Sequence, residues 1–437
     1  MRRYTVYYRS LFVVGWLLLL AVPSWAQQAL TLQEALSLAE KHNPRLQGVQ
    51  ARREGSLARA RAVSAMLSPQ VSVSGWLAQG TVDNMLTSAP AVMPDSMRMA
   101  SRDSFTSSQV KLSLPLFTGG RLQMMARAAR AETEAMSAEV QEMHQEVRLD
   151  VTMRYLQALL RRELVEVAKK RYEAQQEQTR IMEQMYEIGK APLAFVLRSR
   201  AAEAEAKQML ATATNDFRKS LIDLQVSIGL SPTGEVELPQ ELEQPAFTLP
   251  DTVEEAVKRG LQRRALLQSQ QARLRMTTLE RRAAEGALLP QAYLTASQDW
   301  IKEESMKAQS GYTVALVVSV PIWTGGQLQA QIREATAREQ EEIAASRTLQ
   351  LQVESEVRQA WLDIQTAAAN LVTADAALKD AEEAYRVATL RVHEGKAPFV
   401  EQIDALAALT DARTRLLEAR TEHILAQARL LRAMGDL

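Results

Sequence analysis

The chain has 437 residues, with 52 Lys and Arg against 52 Asp and Glu, 46% hydrophobic residues, 17 Gly and 14 Pro, which separates it from collagen-like and strongly disordered sequences. It contains no Cys, so thiol catalysis, zinc fingers, iron–sulfur clusters, disulfide frameworks and lipidation of an N-terminal Cys are excluded. A formal net charge of zero gives no global basic footprint for nucleic acid, and Lys and Arg alternate with Glu and Asp as they do on solvated helix faces.

At the N-terminus, Arg2, Arg3 and Arg9 precede the apolar run Leu11–Val22, followed by Ser24-Trp25-Ala26 with small residues at the two positions a signal peptidase reads. Residues 1–26 are therefore predicted to be a secretory signal peptide: the apolar core of 12 residues is short of the roughly 20 that a spanning helix needs. The mature chain would begin near Gln27, work outside the cytoplasm, and carry neither a transmembrane helix nor an N-terminal lipid.

The rest of the chain is a duplication. Leu114-Pro115-Leu116-Phe117-Thr118-Gly119-Gly120 returns as Val320-Pro321-Ile322-Trp323-Thr324-Gly325-Gly326, and Gly189-Lys190-Ala191-Pro192 returns as Gly395-Lys396-Ala397-Pro398, both 206 residues on. Upstream the offset is 221: Pro69-Gln70 matches Pro290-Gln291, and Thr31 with Glu34-Ala35 matches Thr252 with Glu255-Ala256. The difference places a longer loop in the first copy, near Thr81–Ser104. This organisation predicts a first repeat at 27–230, a Pro-punctuated linker at 231–250 and a second repeat at 251–437.

Each repeat carries two kinds of segment. From Leu122 to about Ile188 there is no Pro or Gly, and Met136, Val140, Met143, Val147 and Val151 recur at three- and four-residue steps, which predicts a helix of about 67 residues and roughly 100 Å. Leu328 to about Glu394 repeats it. Shorter helices are expected near 44–67 and 193–228, and again near 265–288 and 399–434, so that two short helices end to end match one long one. The other segments have period two: Val110, Leu112, Leu114 and Leu116 in the first copy, and Val314, Leu316, Val318, Val320 and Ile322 in the second. Strand pairs are expected at about 70–81 with 106–116 and about 291–300 with 312–322, each strand near the 9–11 residues of a tilted membrane strand. Trp76, Trp300, Trp323, Tyr293, Tyr312, Phe105 and Phe117 lie in or beside them, as interfacial aromatic girdles would. One-sided alternation also describes a soluble sheet with one buried face. Export without an anchor, and an outward face on 313–322 that needs lipid, favour a membrane barrel. Four strands cannot close a barrel, and lipid does not tolerate an open edge, so oligomerisation is expected; two chains are the minimum, and three give twelve strands.

Catalysis is not expected. His42, His144, His393 and His423 are scattered along helices without ligand spacing, no Gly-rich phosphate loop follows a strand, and no nucleophile elbow is present. Met85, Met93, Met97 and Met99 raise a Cu(I) site, but without His or Cys beside them they read as an adaptable external loop. No metal, cofactor or nucleic acid is expected.

Taken together, the two copies of long helix and strand pair, the Phe-Thr-Gly-Gly and Trp-Thr-Gly-Gly turns, the Thr31–Pro44 start (Thr-Leu-Gln-Glu-Ala-Leu to Asn-Pro) and the Gly at each helical hairpin resemble the TolC-like outer-membrane efflux proteins. The resemblance spans essentially the whole mature chain. It implies a mostly α fold with a membrane β-barrel: a homotrimer with a 12-stranded barrel in the outer-membrane lipid of a Gram-negative bacterium and an α-helical tunnel across the periplasm. It further implies the exit duct of a tripartite efflux pump or type I secretion system, passively serving a periplasmic adaptor and an inner-membrane pump of the resistance-nodulation-division or ABC type. The Gly-Lys-Ala-Pro turns would be the periplasmic tips, where Gly ends one helix and Pro starts the next, and the resemblance makes Gly189, Lys190, Gly395 and Lys396 adaptor-docking residues. It also matches Glu401 and Asp404 to two acidic residues that ring the closed pore entrance, with Glu401 standing where the family more often has Asp. Three apart, they share one helix face; Phe195 and Arg198 occupy the corresponding places in the first copy. The rival reading is an exported periplasmic coiled-coil protein such as a pump adaptor, for which one helical hairpin flanked by small β-domains would be expected.

Overall fold

A computed structural model of the chain describes residues 30–81, 102–233, 236–239, 247–303 and 309–437. The predicted signal peptide, the Met-containing loop and part of the linker lie outside the described residues, as do the side chains of Trp76 and Phe105. The first copy runs α1 (Leu32–His42), α2 (Pro44–Ala65), β1 (Gln70–Thr81), β2 (Arg102–Phe117), α3 (Arg121–Glu187) and α4 (Leu193–Ile228). The second repeats the order as α5 (Val253–Arg263), α6 (Ala265–Gly286), β3 (Gln291–Glu303), β4 (Gln309–Ser319), α7 (Gln327–His393) and α8 (Phe399–Met434).

The Thr31–Pro44 motif folds as a helix of its own. The Thr31 hydroxyl accepts the Glu34 N–H while the Glu34 carboxylate accepts the Thr31 N–H, a capping box, and Thr252 accepts from Glu255 in the second copy. A single extended residue then separates each short helix from the next: Asn43 before Pro44, and Arg264 before Ala265. Both long helices have 67 residues, about 100 Å of rise. Their outward faces repeat an ion pair at equivalent places, Glu177 with Arg180 and Glu383 with Arg386. In each, the hydrogen bond from Arg holds the carboxyl below its usual range.

The four strands form one antiparallel sheet in the order β1-β2-β3-β4. Directly opposed residues share a face, so the register Val73↔Val110, Val71↔Leu112, Leu112↔Ala296, Leu114↔Leu294, Ala296↔Val314 and Leu294↔Leu316 lays one apolar face across all four strands. Ser72, Lys111, Ser297 and Thr313 line the other, where Gln109 donates to Asp299 at 2.6 Å. The apolar face is exposed, with Val73 at 76%, Leu77 at 82% and Leu316 at 62% of full accessibility. Trp300 and Tyr312 mark one end of it, and from Trp300 to Ala292 the strand rises about 27 Å, close to the apolar band of an outer-membrane barrel.

Three strands differ from expectation in their bounds, β3 by running on to Glu303 rather than about 300. β2 starts at Arg102 rather than near 106, because its polar first residues pair with the end of β1, Thr81↔Arg102, a cross-strand cause that alternation cannot show. β4 runs Gln309–Ser319 rather than 312–322. Its partner β3 begins at Gln291, directly after Pro290, and Gln291 pairs with Ser319, so Val320-Pro321-Ile322 has no ladder to join.

The helices form an open row. α3 is central, α2 and α4 run end to end along one side of it, α6 and α8 along the other, and α7 packs beyond α6 and α8. α3 accordingly buries twenty residues and α7 five. One core, with Ala39, Leu46, Val151, Tyr155, Leu156 and Leu224, sits where α1, α2, α3 and α4 meet and is joined by Ile424 and Leu425 of α8; another, with Val257, Val357, Leu430 and Met434, joins α5, α7 and α8, and Phe247 of the linker packs against both. Where the sheet meets the helices the backbones touch: a Cβ on Gly119 would stand 2.3 Å from Gly286 O.

The two helix joints solve one problem differently. In the first, Asn43 Nδ2 donates to Ser227 O at 2.7 Å. In the second, Arg264 donates to Ala433 O at 3.0 Å, the position 206 residues beyond Ser227, and its guanidinium also binds Glu142 of α3 and Glu356 of α7. Arg432 bonds the same two carboxylates. Arg264 is 1% exposed, so truncating it leaves Glu142 buried beside a single cation. We expect Arg264→Ala to cost about 3–5 kcal/mol and Arg264→Ala/Glu142→Gln to recover part of it, read as thermal unfolding by circular dichroism in detergent. Equal loss in both variants would mean that packing, not charge, holds this joint.

Candidate functional site at the hairpin tips

Both Gly-Lys-Ala-Pro turns form at the end of the molecule opposite the sheet. Gly189 has φ +72° and Gly395 φ +71°, backbone that L side chains rarely adopt. Gly189 N–H donates to Tyr186 O and Lys190 N–H to Met185 O; Gly395 and Lys396 do the same to Val392 and Arg391, with both Lys amides at 2.8 Å. These paired bonds are Schellman caps, which stop the long helix before Pro192 and Pro398 open the returning one. The Lys190 side chain is exposed, whereas Lys396 Nζ pairs with Glu394 at 2.7 Å.

The two tips are held together by a small apolar cluster. Met182 of α3, Val196 of α4 and Phe399 of α8 are buried, with Phe195, Val392 and Ile403 packed against them. The residues of the two predicted docking turns are thus carried by hairpins that share a core. Glu401 and Asp404 follow in the first two turns of α8, three residues apart on one side of the helix. Glu401 accepts a hydrogen bond from Arg391, Nη1 to Oε1 at 2.6 Å, while Asp404 is exposed and its carboxylate makes neither ion pair nor hydrogen bond among the described residues. Arg391 is not among the residues that sequence motifs single out. A signal for it exists all the same, since a Gly-Lys-Ala-Pro turn returns the chain so that the last turn of one helix faces the first turn of the next.

Known proteins share this architecture. The outer membrane efflux protein family matches residues 35–230 and 256–436. The chain belongs to that family. It is 24% identical over 341 residues to the outer membrane efflux protein BepC of Brucella suis biovar 1 (strain 1330), covering 75% of this chain and 72% of BepC. Its fold is that of the CmeC outer membrane channel of Campylobacter jejuni, with TM-score 0.82, 16% identity, and 93% and 85% of the two chains covered. It also matches the open state of the MtrE outer membrane channel of Neisseria gonorrhoeae, with TM-score 0.77, 19% identity and coverage of 92% and 88%. The chain is therefore a homologue of outer-membrane efflux channels with a TolC-like fold, and the adaptor alternative falls to the family match. Members of this family are channels, not enzymes.

The tip cluster gives a direct expectation. Phe399→Ala removes its largest buried side chain, a change that costs about 3–5 kcal/mol in a well-packed core. Here the loss should be local: hydrogen exchange of amides in 180–200 and 388–405 should speed up while amides around Val151 and Val357 keep their protection. Uniform loss of protection would show that the tips are not an independent unit.

Proposed function

We propose that this protein is the outer-membrane exit duct of a tripartite efflux or type I secretion system, and that three copies build one duct. The reading is carried by the sheet: one face is predominantly apolar and exposed across all four strands, and among the described residues neither β1 nor β4 has a partner on its outer edge. No helix of the described residues is long and apolar enough to cross a membrane, so the sheet is the element offered to lipid, and lipid demands closure. Three copies give twelve strands, an even-numbered barrel within the known range. The apolar residues on the two free helix edges, Val226 on α4 and Leu351, Leu362 and Val372 on α7, would be covered by the same closure.

Duplication supplies the seam. If β4 meets the β1 of another copy as β2 meets β3 within one chain, the pair Val110↔Gln298 becomes Leu316 opposite Leu77. Likewise, the Gly119–Gly286 contact has its counterpart at Gly325, where among the described residues nothing lies within 4 Å of an added Cβ. The helices then continue the barrel into the periplasm as a tunnel. Gly189, Lys190, Gly395 and Lys396 meet a periplasmic adaptor that delivers cargo from an inner-membrane pump, and Glu401 and Asp404 ring the entrance. The mature chain begins near Gln27 and sits in the outer membrane of a Gram-negative bacterium. Transport through it is passive.

Two measurements test this. Protein extracted from outer membranes in mild detergent should have the mass of a trimer and form pores in planar bilayers; a monomer without conductance overturns the reading. In the Cys-free chain, Leu77→Cys/Leu316→Cys should cross-link into covalent trimers on mild oxidation, seen on non-reducing gels. Directly opposed strand residues have Cβ atoms about 4.5–5.5 Å apart, within reach of a disulfide, whereas each single variant has no thiol opposite its Cys and should run as a monomer on the same denaturing gels.

A further inference from the structure

Resting on the entrance reading, we propose that Arg391 sets the charge of the constriction: it cancels Glu401, so that Asp404 alone supplies the acidic ring. The two acids look equivalent in sequence but not in the structure. Glu401, in the first turn of α8, is bonded to Arg391 in the last turn of α7 at 2.6 Å. The side chains are 49% exposed for Arg391 and 36% for Glu401, so the pair adds little to stability. Its effect on the field is larger. A carboxylate with a guanidinium against it acts at a distance as a dipole, whereas a lone carboxylate acts with its full charge.

The other charges of the tips are of both kinds, paired at Lys396 and unpaired among the described residues at Lys190 and Arg198. Lys396 is taken by Glu394. Arg198, which stands in the first hairpin where Asp404 stands in the second, is exposed and makes no ion pair with Asp404 among the described residues. Asp404 is left as the unpaired acid at the start of α8. The first copy supplies an independent observation. At the two places that Arg391 and Glu401 occupy, it has Met185 and Phe195, so the acid is present in the hairpin that has the base and absent from the one that lacks it. Arg391 and Glu401 are thus read as a unit, and of the six carboxylates that Glu401 and Asp404 of three copies would bring to the entrance, three are cancelled. Arg391 is in this sense a specificity-determining residue of the duct, acting through Glu401.

The experiment is the K⁺/Cl⁻ permeability ratio, from reversal potentials of single channels in a KCl gradient, for wild type, Asp404→Asn, Glu401→Gln, Arg391→Gln and Arg391→Gln/Glu401→Gln. All three sites are at least part-exposed, and channel formation itself reports folding. Asp404→Asn should remove most of the cation preference. Arg391→Gln should raise the ratio by about twofold or more, since it releases a second ring of full charges, and the double variant should return it to the wild-type value. Glu401→Gln alone leaves Arg391 uncompensated and should lower the ratio. A change in Asp404→Asn with none in Arg391→Gln overturns the role given to Arg391 and leaves the entrance reading standing. No change in either Asp404→Asn or Glu401→Gln overturns the entrance reading itself.

Discussion

An antiparallel sheet in hydrocarbon has to satisfy every backbone N–H and C=O from within, because each unpaired group costs several kcal/mol where no water can replace the partner. The sheet of this chain has four strands, one apolar face and two free edges, and most of the architecture follows from that condition. A single copy cannot meet it, so the strands call for neighbours, and the neighbours bring their helices with them. The same Thr-Gly-Gly turns that end β2 and follow β4 start α3 and α7, so the sheet hands its strands directly on to the long helices. The open helix row, with α3 enclosed and α7 at a free edge, is the periplasmic continuation of a sheet that is open in the same sense.

Below the membrane the constraint is one of length. A helix of 67 residues can be covered only by a partner of similar length, and the chain supplies two in series, α2 with α4 beside α3 and α6 with α8 beside α7. The junction leaves helix ends with unpaired backbone groups in the interior. Asn43 meets this with an amide on Ser227 O, while Arg264 does so with a cation on Ala433 O and then needs Glu142 and Glu356 to balance its charge. Two copies with equal backbones have thus diverged into a neutral joint and an ionic one. The ionic joint ties α3, α6, α7 and α8 at one level, between the two hydrophobic cores that Phe247 bridges.

Features set by local periodicity are legible in the sequence. Both 67-residue helices, the bounds of α4 and α8, and the starts of β1 and β3 after Pro-Gln follow from apolar spacing and from the Gly and Pro positions. Features set by pairing partners are not. Arg102 joins β2 only because Thr81 lies opposite, and β4 stops at Ser319 only because β3 begins at Gln291, so alternation over-runs one strand and under-runs the other. In the sequence, Arg264 and Arg391 are two among many surface-like cations. Their partners are 122 and 10 residues away in the chain; only the folded geometry shows the Arg264 guanidinium to be buried and balanced, whereas that of Arg391 is half-exposed and paired across a turn whose motif is local.

The distribution of contacts along the chain makes the hairpin tips its least restrained end. Around the helix joints, large cores and a buried ionic network make movement costly. At the sheet, ladder hydrogen bonds and lipid permit only closure. At the tips the described interactions are three buried side chains, two glycine caps and exposed ion pairs, which are individually worth about 0–1 kcal/mol. A partner binding at Lys190 or Lys396 has to offset little to rearrange such an end, and elements that move are drawn from the least stable part of a structure. If Glu401 and Asp404 ring the entrance as proposed, they sit on the segment most easily displaced, and selection and opening would involve the same few side chains.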